Sequence, residues 1–164
     1  RRWVQQQNLV FTDPASPENV SRHMWKVYER FIKFKKYLTD MELFGENERW
    51  VSNFEQFYIK DTKDDQWVLD CENAANLCAA LILASGVPRG LVRTFTGVTN
   101  NNIGHASLSA WDWRTKKFEQ WESTATTPRA LPKEDPYFIS KVWFSMDNTN
   151  CWGLVDWSVY NGLY

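Results

Sequence analysis

The apolar positions of this chain change period near residue 90. Before that point they recur at the spacing of one helix face, and after it they alternate in the manner of strands. Val20, Met24, Val27, Phe31, Phe34 and Leu38 define a first amphipathic helix. Ser16 is placed to cap it, and Pro17 follows at the first helical position, where its missing N–H removes no bond. A shorter pattern of Trp50, Val51, Phe54, Phe57 and Tyr58 predicts a second helix, ending before the polar loop Asp61-Thr62-Lys63-Asp64-Asp65.

The third helical segment starts at Cys71 and is apolar nearly all the way round, through Ala74, Ala75, Leu77, Ala79, Leu81, Ile82 and Leu83. That pattern belongs to a helix buried at the centre of a domain. Asp70 stands before it as a capping acceptor, Gly86 suits a left-handed stop, and Pro88 prevents continuation. Beyond Gly90 the stretches 91–98, 105–112, 117–123, 137–146 and 152–160 read as strands. Turn-rich runs such as Thr99-Asn100-Asn101-Asn102 and Asp147-Asn148-Thr149-Asn150 separate them. Helices first and antiparallel strands afterwards predict an α+β fold, helical over 13–86 and sheet over 90–160, as one domain spanning 1–164.

Charge narrows the partners. The 164 residues hold 19 Lys and Arg against 20 Asp and Glu, so nothing in the balance calls for nucleic acid or an anionic membrane. Lys33, Lys35 and Lys36 read as the solvated face of the first helix. The longest apolar run, 74–84, contains Asn76 and is too short to span a bilayer. Three cysteines, an odd number, suit free thiols in a reducing compartment such as the cytoplasm. The chain starts Arg1-Arg2-Trp3 rather than with Met, as a processed or excised piece of a longer polypeptide would. Ten Trp, ten Phe and six Tyr supply mainly core area, and some of them are available to line a groove.

Candidate chemistry centres on "LDCENAANLCAAL". A thiol at a helix N-terminus meets unpaired N–H groups and the positive end of the macrodipole, which favour thiolate. Asp70 and Glu72 on either side act against this, so an imidazolium partner is needed. Of the two histidines, His23 falls on the first helix as a surface or boundary residue, whereas His105 opens a strand after a polar loop, with Gly104 before it. His105 is the better base. Its second nitrogen requires an acceptor. A hairpin of 105–112 with 117–123 and an even loop places His105 and Glu122 on one sheet face, directly or diagonally adjacent. Asp112, the rival acceptor, lies roughly 23 Å from His105 at strand rise. Cys78 falls inside the apolar helix and reads as structural, and Cys71, Cys78 and Cys151 show none of the short ligand pairs of a zinc site.

Asp-Cys-Glu on a buried helix, Gly-His-Ala opening a strand and then Trp-Glu-Ser-Thr together resemble the transglutaminase-like cysteine peptidase superfamily. Within it, "DDQWVLDCENAANLCAAL" is similar to the segment around the nucleophile in bacterial transglutaminase-like cysteine peptidases, and the match covers 67–124. The resemblance implies a papain/transglutaminase-core-like fold, with the nucleophile helix packed against an antiparallel sheet. It also implies a Cys-His-Asp type triad, carried over as Cys71, His105 and Glu122, with Glu in place of the usual Asp. A side chain upstream of the nucleophile often completes the oxyanion hole in that superfamily. Gln66 and Trp67 are the nearest donors in sequence, with Trp50 a third.

No cofactor is required by this reading; the resemblance allows calcium near Asp70 and Glu72, which capping and solvation also explain. The expected function is hydrolysis of amide bonds in a peptide or protein through a thioester. Transglutaminase-type acyl transfer and removal of glycans from asparagine are alternatives with the same nucleophile. The polar loop 96–104 is placed to border the cleft. A reading of another class is an inactive module of the same fold that binds a peptide or sugar on Trp111, Trp113 and Trp121.

Overall fold

The structure is a computed structural model that describes residues 1–12, 16–49, 51–61, 63–147 and 150–156. Trp50 and the expected strand end 157–160 lie outside the described residues. In chain order the elements are α1 (Arg2–Gln6), α2 (Pro17–Lys33), β1 (Lys35–Tyr37), α3 (Asp40–Phe44), α4 (Asn53–Gln56), β2 (Trp67–Leu69) and α5 (Cys71–Ala84). Then follow β3 (Val92–Thr99), β4 (Gly104–Asp112), β5 (Lys117–Trp121), β6 (Ala130–Leu131), β7 (Ile139–Met146) and β8 (Cys151–Asp156). The last six strands form one antiparallel sheet in the order β6-β5-β4-β3-β7-β8, and β1 pairs in parallel with β2.

The architecture is the expected α+β arrangement, with α5 between the sheet and the rest of the helical layer. One side of α5 packs on β3 and β4, and the other meets α2 and α4. Ala74, Ala75, Leu77, Cys78, Leu81 and Ile82 are buried, which accounts for a helix with no polar stripe. Ser16 caps α2 by accepting from the Asn19 N–H, and Pro17 occupies its first turn. Val20, Met24, Val27, Tyr28 and Phe31 turn the buried face of α2 toward α5, β4 and Trp67. A smaller cluster of Phe95, Phe118, Leu131, Phe138, Ile139 and Val142 covers the other side of the sheet.

Two expectations are corrected. The helical spacing was read through Phe34 and Leu38, but α2 ends at Lys33 and residues 35–37 become β1. There the backbone groups find partners on β2: Trp67 N–H donates to Phe34 O and Leu38 N–H to Leu69 O. Lys35 accordingly leaves the solvated face and turns inward, only 8 % exposed. Burial pushes its ammonium down to about 8, against the nearby charge of Glu122. The helix expected around 50–58 contracts to the single turn of α4, and the Trp67 indole N–H, donating to Phe57 O, and Gln56 Nε2, donating to Val68 O, hold that region to its surroundings instead.

Gly97 fixes the centre of the sheet. It pairs with His105 on one side, and a register shift between Thr96 and Gly97 brings β7 close on the other. A Cβ at this position would lie 2.2 Å from Lys141 O and 2.9 Å from Val142 Cα, both main-chain atoms that no rotamer change can move. Gly97→Ala is expected to lower unfolding free energy by roughly 1–3 kcal/mol, the usual cost of overpacking. Urea midpoints of the two proteins check this, and an unchanged midpoint would show that β7 yields without strain.

Candidate active site

The first turn of α5 is positioned by its two neighbours in sequence. β2 is buried along its whole length and delivers the chain into the core, where Asp70 Oδ1 accepts the Asn73 N–H at 3.1 Å. Cys71 therefore begins a helix at the junction of β1, β2 and the sheet. Its half-buried thiol donates to Glu72 Oε2 at 3.4 Å, and the nearby main-chain N–H of Ala106 favours the thiolate. Ala106 follows His105 on β4, so the nucleophile candidate and the base candidate meet the same strand end.

Register brings the base to its acceptor. Leu108 pairs with Trp121, so one step beyond β5 Glu122 stands diagonal to His105 on the same sheet face. His105 Nε2 lies 2.9 Å from Glu122 Oε2, with the imidazole side chain 10 % exposed and the carboxylate 3 %. The other oxygen, Oε1, accepts the Thr124 N–H at 2.9 Å and the Thr124 hydroxyl at 2.6 Å. Burial alone would raise the Glu122 carboxyl, but the His105 bond and charge and the two Thr124 donors outweigh it and hold it below the usual range. The Glu122 main chain is clamped as well. Its N–H donates to Arg129 O, and its carbonyl accepts the hydroxyl of the fully buried Tyr28 at 2.8 Å.

Acidic groups crowd the thiol. The Asp70 and Glu72 carboxyls lie close together, and burial followed by the neighbouring Glu72 carboxyl raises Asp70, while burial raises Glu72. Burial and then the Glu72 charge push the Cys71 thiol well up, with the Ala106 N–H pulling the other way. Ligand atoms of Asp70, Cys71 and Glu72 lie within 4.8 Å of one another, as do those of Asp40, Glu48 and Glu72. Asp40 Oδ1 and Glu72 Oε1 are buried without a hydrogen-bond partner.

The remaining sequence candidates sit elsewhere. Trp67 is 1 % exposed and its indole N–H donates to Phe57 O at 3.2 Å, while Gln66 Nε2 donates to Lys33 O. Asp112 accepts from Arg114 rather than from His105, and His23 Nε2 is 3.0 Å from the Ser85 hydroxyl. Cys78 is fully buried and Cys151 is exposed.

Three neighbours of the site were missed in the sequence. Tyr37, on β1, stands near enough to Cys71, Asp70 and Glu72 that burial and then their charges push its phenol up to about 12. Its signal is a strand of three residues, too short for alternation to reveal. Asp40 comes from the first turn of α3, where Thr39 and Glu42 form a capping box legible as Thr-x-x-Glu. Thr124, two residues past the acceptor, has no signal beyond proximity.

The raised Asp70–Glu72 pair makes stability pH-dependent. Between about pH 4, where unfolded carboxylates ionise, and the raised value of the pair, the folded chain holds a proton that the unfolded chain has released. Stability then falls as pH rises through neutrality. Glu122 has the opposite sign and matters only below its unfolded value. Asp70→Asn keeps a capping acceptor and removes a charge, so its expected outcome is a higher urea midpoint at pH 8 and a flatter profile from pH 5 to 8. An unchanged profile would contradict the retained proton.

No protein-family model matches this chain, and no curated protein does. Three solved structures of LapG from Legionella pneumophila are similar to it. One superposes with a TM-score of 0.61 at 22% identity over 90% of this chain and 72% of that one. An EGTA-treated form gives 0.61 at 20% identity over 96% and 82%, and a calcium-bound form 0.58 at 22% identity over 90% and 72%. The chain thus has the transglutaminase-like fold, with a cysteine at the start of its central helix and a bonded His–Glu pair beside it.

Proposed function

We propose that this protein is a cysteine-nucleophile enzyme that cleaves amide bonds of peptides through a thioester, with Cys71, His105 and Glu122 as its catalytic residues. The observation that carries the reading is the 2.9 Å contact of His105 Nε2 with the buried Glu122, at the strand end whose Ala106 N–H favours the Cys71 thiolate. LapG, a cysteine peptidase with this fold, supports the peptidase class.

The roles follow from the atoms. An anionic Glu122 accepts, so Nε2 carries the proton and Nδ1 is the nitrogen left to take one from the thiol. Sulfur attacks the acyl carbon, and Nδ1 returns the proton to the departing amine as the C–N bond breaks and the thioester forms. Water, deprotonated by the same nitrogen, then attacks the thioester, the C–S bond breaks, the acid departs and the imidazolium returns its proton to the Cys71 sulfur. An amine in place of water gives acyl transfer, and a glycosylated asparagine as substrate gives glycan removal. The main-chain N–H of Cys71 and the Tyr37 phenol are the proposed donors to the oxyanion, since the side chains of Gln66 and Trp67 donate elsewhere.

Calcium fits the acidic cluster. The donors are all hard oxygens, and Asp40 Oδ1 and Glu72 Oε1 are buried without hydrogen bonds. Asp40 and Glu72, with Asp70 and Glu48, would hold the ion, as the calcium-bound LapG structure leads one to test. A bound ion would supply positive charge in place of the retained proton and so oppose the negative field on the thiol.

The inactive binding module is the second reading, and the raised thiol of Cys71 favours it. Alkylation by iodoacetamide across pH separates the two. The enzyme reading expects labelling of Cys71 in calcium that is faster than a free thiol below pH 8.5. Labelling slows in EGTA, and falls by roughly 10²-fold or more in His105→Ala and Glu122→Gln. Labelling no faster than a free thiol, with or without calcium and unaffected by His105→Ala, would establish the inactive module.

A further inference from the structure

At the other end of β4, roughly 23 Å along the strand from His105, a cavity of about 480 Å³ opens between α2 and the β4–β5 hairpin. Four tryptophans line it: Trp25 from α2, Trp111 and Trp113 from the end of β4 and the turn after it, and Trp121 from β5. Trp25 and Trp121 meet at 88° with centroids 5.0 Å apart, forming a corner. Ser21 fixes the helix to the hairpin, its hydroxyl donating to Trp111 O at 3.0 Å and accepting the Trp113 N–H at 3.2 Å. The walls are therefore held independently of any ligand.

Charged side chains line this cavity as well. Glu18, Asp112 and Glu119 face Arg22 and Arg114. Arg22 is paired with Glu18, and Arg114 Nε with Asp112 Oδ1 at 3.1 Å. That leaves Glu119, which accepts from the Trp121 indole at 3.4 Å and forms no ion pair among the described residues. Asp112 is only 5 % exposed, and its second oxygen is buried without a hydrogen bond. The pairing of Ala110 with Glu119 and of Asp112 with Lys117 makes Asp112 and Glu119 diagonal neighbours on one face. Burial and then the nearby Asp112 charge raise the Glu119 carboxyl, against the Trp121 indole bond and the more distant Arg114 charge. The chain already shows which ligand an indole here accepts: Lys116 Nζ lies 5.9 Å from the centroid of the Trp113 ring.

We propose that this pocket binds an organic cation, either a lysine or arginine side chain of a peptide or a free quaternary ammonium, between the indole faces and the Asp112–Glu119 carboxylates. Indole faces attract a cation through their quadrupole, and the Glu119 carboxylate, in no direct ion pair among the described residues, supplies the counter-charge. A neutral sugar stacks on the same rings but gains nothing from that charge. The site does not touch Cys71, and its occupancy stands or falls apart from the catalytic reading.

The test is titration of the intact chain by indole fluorescence and calorimetry. The probes are choline, its uncharged isostere 3,3-dimethylbutan-1-ol, N-acetyl-lysine methylamide, N-acetyl-arginine methylamide and cellobiose. The expected result is saturable binding of choline or of an acetylated amino acid, at least roughly fivefold tighter than the isostere and cellobiose. The tighter cationic probe identifies the source of the ligand. Glu119→Gln and Trp113→Ala are expected to weaken the cation by roughly fivefold or more while Cys71 alkylation and the far-ultraviolet dichroism stay unchanged. Absence of saturable cation binding, or isostere or cellobiose binding as tightly as the cation, overturns the proposal, and the wild-type comparison alone suffices if a variant fails to fold.

Discussion

A charged carboxylate in the interior has to be matched on every oxygen, because an unmatched buried charge costs several kcal/mol. Glu122 is 2 % exposed, and much of the surrounding structure answers that requirement. Thr124 satisfies one oxygen and His105 the other. Tyr28, reaching across from α2, and Arg129, from beyond β5, hold the backbone so that the carboxylate points at the ring. The same demand makes the imidazole the only ionisable partner in direct contact among the described residues, and so sets which of its nitrogens is left facing outward. Gly97, opposite His105, is the other half of the constraint, since close approach of β7 leaves no room for a side chain there.

The Cys71 end is built on the opposite principle. Helix geometry and the Ala106 N–H favour a thiolate, yet burial and two flanking carboxylates favour a thiol. Left to its own charges the site rests protonated. The raised Asp70 and Glu72 carboxyls, with the buried, unbonded oxygens Asp40 Oδ1 and Glu72 Oε1, form a centre whose charge depends on what occupies it. The site is therefore better understood as conditional than as permanently armed, with a half-buried cysteine set among acids.

Much of this was legible in the sequence, for reasons that differ by residue. Asp70, Cys71 and Gly86 mark the ends of α5 because capping and stop chemistry is local. The His105–Glu122 contact was legible because strand pairing turns residue numbers into faces, and the observed register leaves them diagonal. What failed was whatever depends on partners far along the chain. Helical spacing continued through Phe34 and Leu38, but β2, more than thirty residues later, captures 35–37 as a strand and takes Lys35 inside. Tyr37 and Asp40 join the site by that same detour. Trp67 and Gln66 stand close before Cys71 in sequence, yet their donors go to Phe57 and Lys33.

The most direct test of the central claim is the tautomer of His105, read from the ¹⁵N-edited imidazole spectrum of Cys71→Ala protein, with His23→Gln to assign the two rings. The account predicts that the neutral ring carries its proton on Nε2, donated to Glu122, and that Nδ1 is bare. A neutral ring protonated on Nδ1 would mean that Glu122 does not orient the base, and would contradict the account.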